Sequence, residues 1–223
     1  MKAGGKEGAR VGWLQTRLEA TYDIEVPHAV DDFVISSRAM LATLLPHHAP
    51  AAREELLFVE GPGDRLDIGL FLDEELLTRL VDDHPEEALH EGNLEHFCVA
   101  LEGVSHFLYV LWKSARDRNV TQLELELQAE VDKYFTTTML FAGQNGRLPD
   151  GLVERLFGAP TYLEHLDEAA RERYETANRY AAKLSLKLEK RFLRKGSVAG
   201  AVQALRRFYR LNGGEKLRYI EQV

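Results

Sequence analysis

The chain has 223 residues, of which 45% are hydrophobic and 29% are charged, and its net charge is −8 at neutral pH. This composition is ordinary for a globular protein with enough apolar residues for a core, so its stability requires neither disulfides nor a structural metal. A single cysteine, Cys98, excludes an internal disulfide and a zinc site built from cysteines.

The beginning of the chain has no sign of a targeting segment. Residues 1–9 are rich in Gly and Lys and predict a disordered start, and the residues after them carry charges throughout, without the apolar stretch of a secretory signal. Charged residues interrupt the longest apolar stretches, so no transmembrane segment is predicted. A lone cysteine suits a reducing compartment, and we predict a cytoplasmic protein.

The first helix is predicted at about 11–22, where apolar residues recur at helical spacing. Residues 23–50 leave two interpretations open. Asp31 could cap a helix that ends at Pro46, or residues 30–36 could form a short strand.

The clearest β signal is a pair of apolar-rich runs separated by a Gly-Pro-Gly-Asp turn sequence. This pattern predicts a β-hairpin over about 55–72. Asp73 follows directly and predicts the N-cap of a helix over about 74–83, with two glutamates in its first turn.

Two long helices are predicted in the middle of the chain. Asn93 can cap a helix over 94–117, and Thr121 with Glu124 forms a capping-box pattern before a helix over about 122–140. Five residues at the start of the second helix also alternate as a strand would. We favour helix because Leu, Glu, Gln and Ala are strong helix formers. The short link between the helices predicts an antiparallel pair.

The C-terminal third is predicted to be helical. A Gly-rich sequence at 143–146 indicates a boundary. Asp167 predicts the start of a long helix and Gly196 its stop, and the helices before and after it also begin or end at a Gly or Ser. The predicted helices cover about 150–157, 167–194 and 197–211, with a last turn or two at 216–222.

These elements predict a predominantly α-helical α+β fold, with a helical bundle-like core, a small β-hairpin and a C-terminal helical region. We expect an α+β part over residues 1–140, with the helix pair at about 94–140, and a basic helical part over 150–223. The alternative is one continuous domain.

The charge is divided unevenly along the chain. Residues 179–218 contain twelve Lys and Arg against two Glu, a net charge of +10, so the remainder of the chain carries −18. Such asymmetry indicates an interaction surface. Most of these cations fall opposite the apolar stripes of two predicted helices and are expected to point outward. The predicted binding residues are Arg179, Lys183, Lys187, Lys190, Arg194, Arg206, Arg207 and Arg210.

The partner of this basic surface is predicted to be an acidic protein surface, which includes the acidic part of this same chain or of a second copy. Nucleic acid is a weaker expectation, because nucleic-acid-binding domains are usually basic overall. An anionic membrane is weaker still, since interfacial helices also expose large apolar groups.

A second candidate site lies on the predicted helix pair. Glu102 and His106 are spaced i,i+4 on a polar stripe, and so are Glu126 and Glu130 on the next helix. Carboxylates and an imidazole on facing helices are the donors of bundle-type metal sites, and one metal ion could activate water. The alternative is a structural ion-pair network, which is the more common reason for such a cluster.

The sequence contains no nucleophile elbow, phosphate-binding loop or dinucleotide glycine pattern. We therefore favour a non-enzymatic interaction protein without a cofactor. It would engage an acidic macromolecule through its basic C-terminal helices. The alternatives are a metal-dependent enzyme that uses the Glu/His cluster and a nucleic-acid-binding protein.

Overall fold

The computed structural model describes residues 11–44, 55–60, 67–159 and 167–223, and the predicted disordered start over residues 1–9 lies outside them. Within the described residues the chain is mostly helical with one small sheet, which confirms the predicted fold class. The helices are α1 Gly12–Tyr22, α2 Arg38–Leu44, α3 Glu74–Asp82, α4 Glu91–Ser114, α5 Gln122–Asn145, α6 Leu152–Phe157, α7 Glu168–Arg191, α8 Val198–Arg210 and α9 Gly213–Gln222.

The sheet has three strands in the order β1-β3-β2. The strands are β1 Val34–Ile35, β2 Glu55–Glu60 and β3 Asp67–Leu72. β2 and β3 pair antiparallel with Leu57 opposite Leu70, which confirms the predicted hairpin, and its turn at 61–66 lies outside the described residues. β1 adds to the other edge of β3 in parallel, a pairing between distant segments that local patterns do not predict.

The segment after α1 differs from the helix predicted to begin at Asp31. A 3₁₀ turn over Val30–Phe33 and the two-residue strand β1 come first, and α2 begins only at Arg38, so each interpretation is confirmed only in part. The Asp31 carboxylate instead accepts hydrogen bonds from the backbone N–H groups of Val11 and Gly12, at 3.0 and 3.1 Å. Asp31 therefore satisfies donors at the start of α1, a helix that precedes it in the chain. The predicted end at Pro46 lies outside the described residues.

Local N-caps were mostly predictable from sequence. Asp73, Thr121 and Asp167 accept backbone N–H bonds in the first turns of α3, α5 and α7, at 2.9, 3.2 and 2.7 Å. The predicted cap Asn93 is wrong. His90 caps α4 by accepting a backbone N–H bond at 3.1 Å, and Asn93 returns the bond by accepting the His90 N–H at 2.9 Å.

The long helix α5 is continuous through residues 122–128, so the alternating pattern there does not form a strand. It runs past its predicted end at about 140 and stops at Gly146, whose φ of +68° favours glycine. Only half of the predicted capping box is present, because the Glu124 carboxylate turns inward instead of returning to Thr121. The Glu124 side chain therefore places its carboxylate in the core.

The C-terminal helices follow the predicted order. The stop predicted at Gly196 is confirmed by its φ of +72°. α9 is longer than the predicted last turns. Asn212 caps it, accepting the Glu215 N–H at 3.0 Å.

The packing centre consists of α4, α5 and α7. α4 buries apolar residues on two sides, among them Leu101 and Phe107, as its all-round apolar pattern predicts. One cluster of buried apolar residues includes Leu14 of α1, Leu188 of α7 and Ile220 of α9. The division into parts over 1–140 and 150–223 stays a prediction.

By length and composition, α4 is the one described helix that could cross a membrane. More than half of its most apolar window is buried inside this fold, and the central helix of a globular core meets the same criterion.

Candidate functional sites

Three of the four predicted Glu/His residues come together between α4 and α5. Glu102, His106 and Glu126 each offer one ligand atom, and these atoms all lie within 4.8 Å of one another. The His106 Nε2 is 3.9 Å from Glu126 Oε2, which is beyond hydrogen-bond distance. Glu130 lies outside this set, and its Oε1 is 2.8 Å from Lys133 Nζ.

Lys133 places an ammonium group beside this cluster, with its Nζ 2.9 Å from Glu102 Oε2. Burial lowers the pKa of Lys133, but Glu102 and Glu130 outweigh burial, so that the pKa lies well above its ordinary value. Burial also raises the pKa of the Glu130 carboxyl against the opposing effect of Lys133. Lys133 therefore stays charged at neutral pH, and a metal ion would share Glu102 with it.

The donor set of Glu102, His106 and Glu126 suits a zinc, manganese or iron ion. Metal–ligand bonds of about 2.1 Å place the ligand atoms of a tetrahedral ion about 3.4 Å apart, so side-chain rotation would have to draw this set together. Cys98 is not part of this set, and burial raises the pKa of its thiol to about 12.

Part of the predicted basic surface holds the end of α9. Lys183, Lys187 and Arg191 occupy successive turns of α7, and Arg191 Nη1 donates to the carbonyl of Val223, just after α9, at 3.2 Å. Lys183 pairs with the Glu221 carboxylate, and Lys187 Nζ donates to the carbonyl of Ile220 at 2.6 Å. These cations offset the partial negative charge of a helix C-terminus.

Two arginines of α8 hold the end of α1 in the same way. Arg206 donates to the carbonyls of Ala20 and Thr21, both at 2.9 Å. Arg210 donates to the carbonyls of Tyr22 and Asp23, at 3.0 and 3.1 Å. The sequence predicts that both guanidinium groups point outward, but the structure shows that they bind backbone acceptors of the same chain.

The remaining cations of the basic region differ in their surroundings. Arg194 pairs with Glu189 at 2.5 Å. Five exposed cations form no ion pair with any described residue. They lie on α7, in the 3₁₀ turn after it, on α8 and on α9, and we refer to them together as the outer basic face. The five are Arg179, Lys190, Lys195, Arg207 and Arg218.

The buried polar cluster around Asp132 was not predicted from the sequence. The carboxylate accepts bonds from Ser105 Oγ at 2.6 Å, from Gln128 Nε2 at 2.9 Å and from the Tyr22 hydroxyl. Burial raises the pKa of Asp132 to about 6, although these three donors act in the opposite direction. The available signal was the i,i+4 spacing of Glu124, Gln128 and Asp132 on the buried side of α5.

Lys216 belongs to the basic segment by sequence but is fully buried. Its Nζ donates to Gln128 Oε1 and lies 4.2 Å from the centre of the Phe208 ring and 4.5 Å from that of Tyr109. Burial lowers the pKa of Lys216 well below its ordinary value, although Glu124 acts the other way. This amine therefore adds nothing to the displayed positive charge.

A neighbouring cluster is centred on Glu124. Its Oε1 accepts bonds from Lys113 Nζ at 2.8 Å and from the Tyr109 hydroxyl at 2.5 Å, and its Oε2 accepts the Gly213 N–H at 3.1 Å. Lys113 also donates to the carbonyl of Leu211 at 2.8 Å. The cluster joins α4, α5 and the start of α9 away from solvent, so its role is structural.

No protein family, curated protein sequence or solved structure matches this chain.

Proposed function

We propose that this protein is a non-enzymatic interaction protein that binds an acidic protein surface through the outer basic face. The observation that carries this proposal is the group of exposed cations without an ion pair among the described residues, notably Lys190, Lys195 and Arg207. Other cations of the same helices fix α1 and α9, which supports a surface of defined shape.

An acidic protein is favoured over nucleic acid by the charge of the whole molecule. The chain carries −8 overall, so the long-range field that would meet a nucleic acid is repulsive outside the basic face. An acidic protein partner can bind a local basic patch without contacting the acidic remainder of the surface. A second copy of the chain offers such an acidic surface, so self-association belongs to the same proposal.

The first prediction concerns charge reversal on the outer basic face. Labelled poly-L-glutamate should bind the protein saturably, and the variant Lys190→Glu, Lys195→Glu, Arg207→Glu should bind at least tenfold more weakly. Affinity should fall with rising salt, because exposed charge pairs are screened. Fluorescence anisotropy measures both effects, and sedimentation at low and high salt tests self-association.

The matched control reverses three exposed arginines elsewhere, Arg79→Glu, Arg147→Glu and Arg171→Glu, for the same change in net charge. This control should keep most of the affinity. Unchanged binding in the triple reversal of the basic face would overturn the proposal. Tighter binding of a DNA duplex than of poly-L-glutamate would favour the nucleic-acid alternative. Lys187 and Arg206 are left intact, because their reversal would disturb α9 and α1.

A metal-dependent enzyme is the second candidate function, and the convergence of Glu102, His106 and Glu126 is the observation that favours it. A single ion held there would have one imidazole and two carboxylate ligands. Glu126 and His106 lie mostly buried, with side-chain exposures of 12% and 8%, and Glu102 is more open. This arrangement would leave coordination positions for water.

The second prediction tests this candidate through binding. Zn²⁺ or Mn²⁺ should bind with one-to-one stoichiometry and raise the unfolding temperature, since a ligand at one hundred times its Kd stabilises a fold by about 2.7 kcal/mol. His106→Ala should abolish the effect, whereas His96→Ala on the same helix should not. Absence of stoichiometric metal in calorimetry and elemental analysis would exclude the metal-dependent candidate.

A further inference from the structure

We propose that a recess at the meeting point of α1, α4 and α8 binds a small phosphorylated ligand. The recess has a volume of about 290 Å³, and three of its five lining residues are arginines. The lining residues are Asp23, Trp112, Arg116, Arg118 and Arg210. None of them belongs to the outer basic face, so this proposal does not depend on the proposed function.

Trp112 organises two of the arginines. The Arg116 guanidinium carbon lies 4.0 Å from the centre of the indole ring, and that of Arg210 lies 5.9 Å from the same ring. Arg116 also donates from Nη1 to the carbonyl of Trp112 at 2.9 Å. Contact with the buried indole holds the Arg116 guanidinium in place before a ligand arrives, and bonds to backbone carbonyls hold that of Arg210. This order lowers the cost of binding.

The turn after α4 fixes Arg118 relative to these groups. Asp117 has a φ of +52°, and the N–H of Arg118 bonds back to the carbonyl of Lys113 at 3.2 Å. This is the hydrogen bond of a Schellman-type helix end. Arg118 Nη1 then donates to the carbonyl of Arg210 at 2.9 Å, which ties the turn to the end of α8.

The recess retains unused hydrogen-bond donors. Arg116 and Arg118 each use one side-chain nitrogen in the bonds within the described residues, which leaves Nε and the second terminal nitrogen of each. None of the three lining arginines forms an ion pair in the described part of the chain. The buried Trp112 Nε1 also has no hydrogen-bond partner there.

A simpler role for these arginines is to cap helix C-termini. The helices α1, α4 and α8 all end at the recess, and the C-terminus of each carries about half a negative charge. Asp23 adds one carboxylate, 3.6 Å from Arg206. The three lining arginines and Arg206 together exceed this negative charge, so capping leaves a positive recess.

The chemistry of the donors favours a phosphate monoester over a carboxylate. A guanidinium group binds a phosphate or carboxylate through paired N–H donors. A carboxylate can accept from the paired donors of one guanidinium group. A phosphate monoester has three phosphoryl oxygens that carry nearly two negative charges, so it can accept from several guanidinium groups at once. The volume of the recess accommodates a phosphoryl group with a small organic substituent.

The test uses inorganic phosphate and free phosphoserine as probes, with acetate at the same ionic strength for comparison. Calorimetry should show saturable one-to-one binding of both phosphates and at least tenfold weaker binding of acetate. In a Trp13→Phe background Trp112 is the only tryptophan, so its fluorescence should change over the same concentration range. Arg116→Gln and Arg118→Gln should each raise the Kd at least tenfold.

Arg147→Gln is the matched control, because Arg147 is an exposed arginine 5.8 Å from the ring of Phe141 and lies outside the recess. The Kd of the Arg147→Gln variant for phosphate should stay within twofold of that of the unmodified protein. Arg118→Lys, which keeps the charge but loses the fork, should bind with intermediate affinity. Lack of saturation with phosphate, equal binding of acetate, or full affinity in the Arg116→Gln, Arg118→Gln double variant would each overturn the proposal.

Discussion

Glu124→Ala should lower the free energy of unfolding by about 3–5 kcal/mol, because it leaves the Lys113 ammonium buried without its carboxylate. Both side chains are almost completely buried, with exposures of 1% and 2%. The Tyr109 hydroxyl and the Gly213 N–H, which donate to this carboxylate, also lose their acceptor. For a chain of this length the melting temperature should fall by about 10 °C or more, measured by urea and thermal unfolding.

A double substitution tests whether the unpaired charge of Lys113 causes the loss of stability in Glu124→Ala. Lys113→Met combined with Glu124→Leu removes both charges and should recover at least half of the loss, since apolar replacement of a buried ion pair is often neutral. Glu172→Ala on the exposed surface of α7 should change stability by less than about 0.5 kcal/mol. A cost below about 1 kcal/mol for Glu124→Ala would show that the buried charge finds another partner.

The fold was predictable where the decisive contacts are local in sequence. Asp73, Thr121 and Asp167 cap helices that begin immediately after them, and Gly196 ends the helical segment immediately before it. Asp31 failed as a predicted cap because its partners, the N–H groups of Val11 and Gly12, lie about twenty residues earlier in the chain. A sequence pattern shows that a side chain can cap a helix but not which helix end it will meet.

The Glu/His site was partly predictable for the same reason. The i,i+4 spacing on α4 makes Glu102 and His106 neighbours on any helix, and an antiparallel partner brings Glu126 to them. Glu130 lies outside this set, although Lys133 contacts it together with Glu102. Which carboxylates of two facing helices converge depends on the exact packing of the helices, and periodicity does not contain that information.

The basic surface shows the limit of amphipathic reasoning. The apolar stripe of α8 predicts which residues face away from its core, but it does not show whether solvent or another helix end lies there. Arg206 meets backbone carbonyls of α1, whereas Arg207, the next residue, stays exposed. Lys216 departs furthest from expectation, because lysine is rarely buried unless it is paired.

Asp132 should make the stability of the protein depend on pH between about 4 and 6. Burial raises its pKa in the folded protein to about 6, whereas the ordinary value is 3.8. The folded state therefore binds the proton more tightly than the unfolded state, so the contribution of Asp132 is fully present below about pH 4 and is lost as the pH rises through 6. The difference corresponds to on the order of 3 kcal/mol. Glu130 acts with the same sign, because burial raises its pKa as well.

Asp132→Asn separates the contribution of Asp132 from that of Glu130. The amide cannot ionise, so unfolding free energies measured in urea should lose the part of the pH dependence between 4 and 6 that belongs to Asp132, while the part from Glu130 remains. Asn can still accept from Tyr22 and Gln128 through its oxygen, and it does not lose stability as the pH rises, so at pH 7 the variant should be more stable than the unmodified protein, by up to on the order of 3 kcal/mol.

Asp132→Ala instead removes the acceptor on which Tyr22, Ser105 and Gln128 converge, and leaving such buried groups unsatisfied should cost about 3 kcal/mol or more at pH 7. The comparison thus distinguishes the charge of Asp132 from its hydrogen bonds. If Asp132→Asn kept the full pH dependence of the unmodified protein, the titrating group would have to be another carboxyl. If Asp132→Ala were as stable as Asp132→Asn, the buried bonds would not hold α1 against α4 and α5.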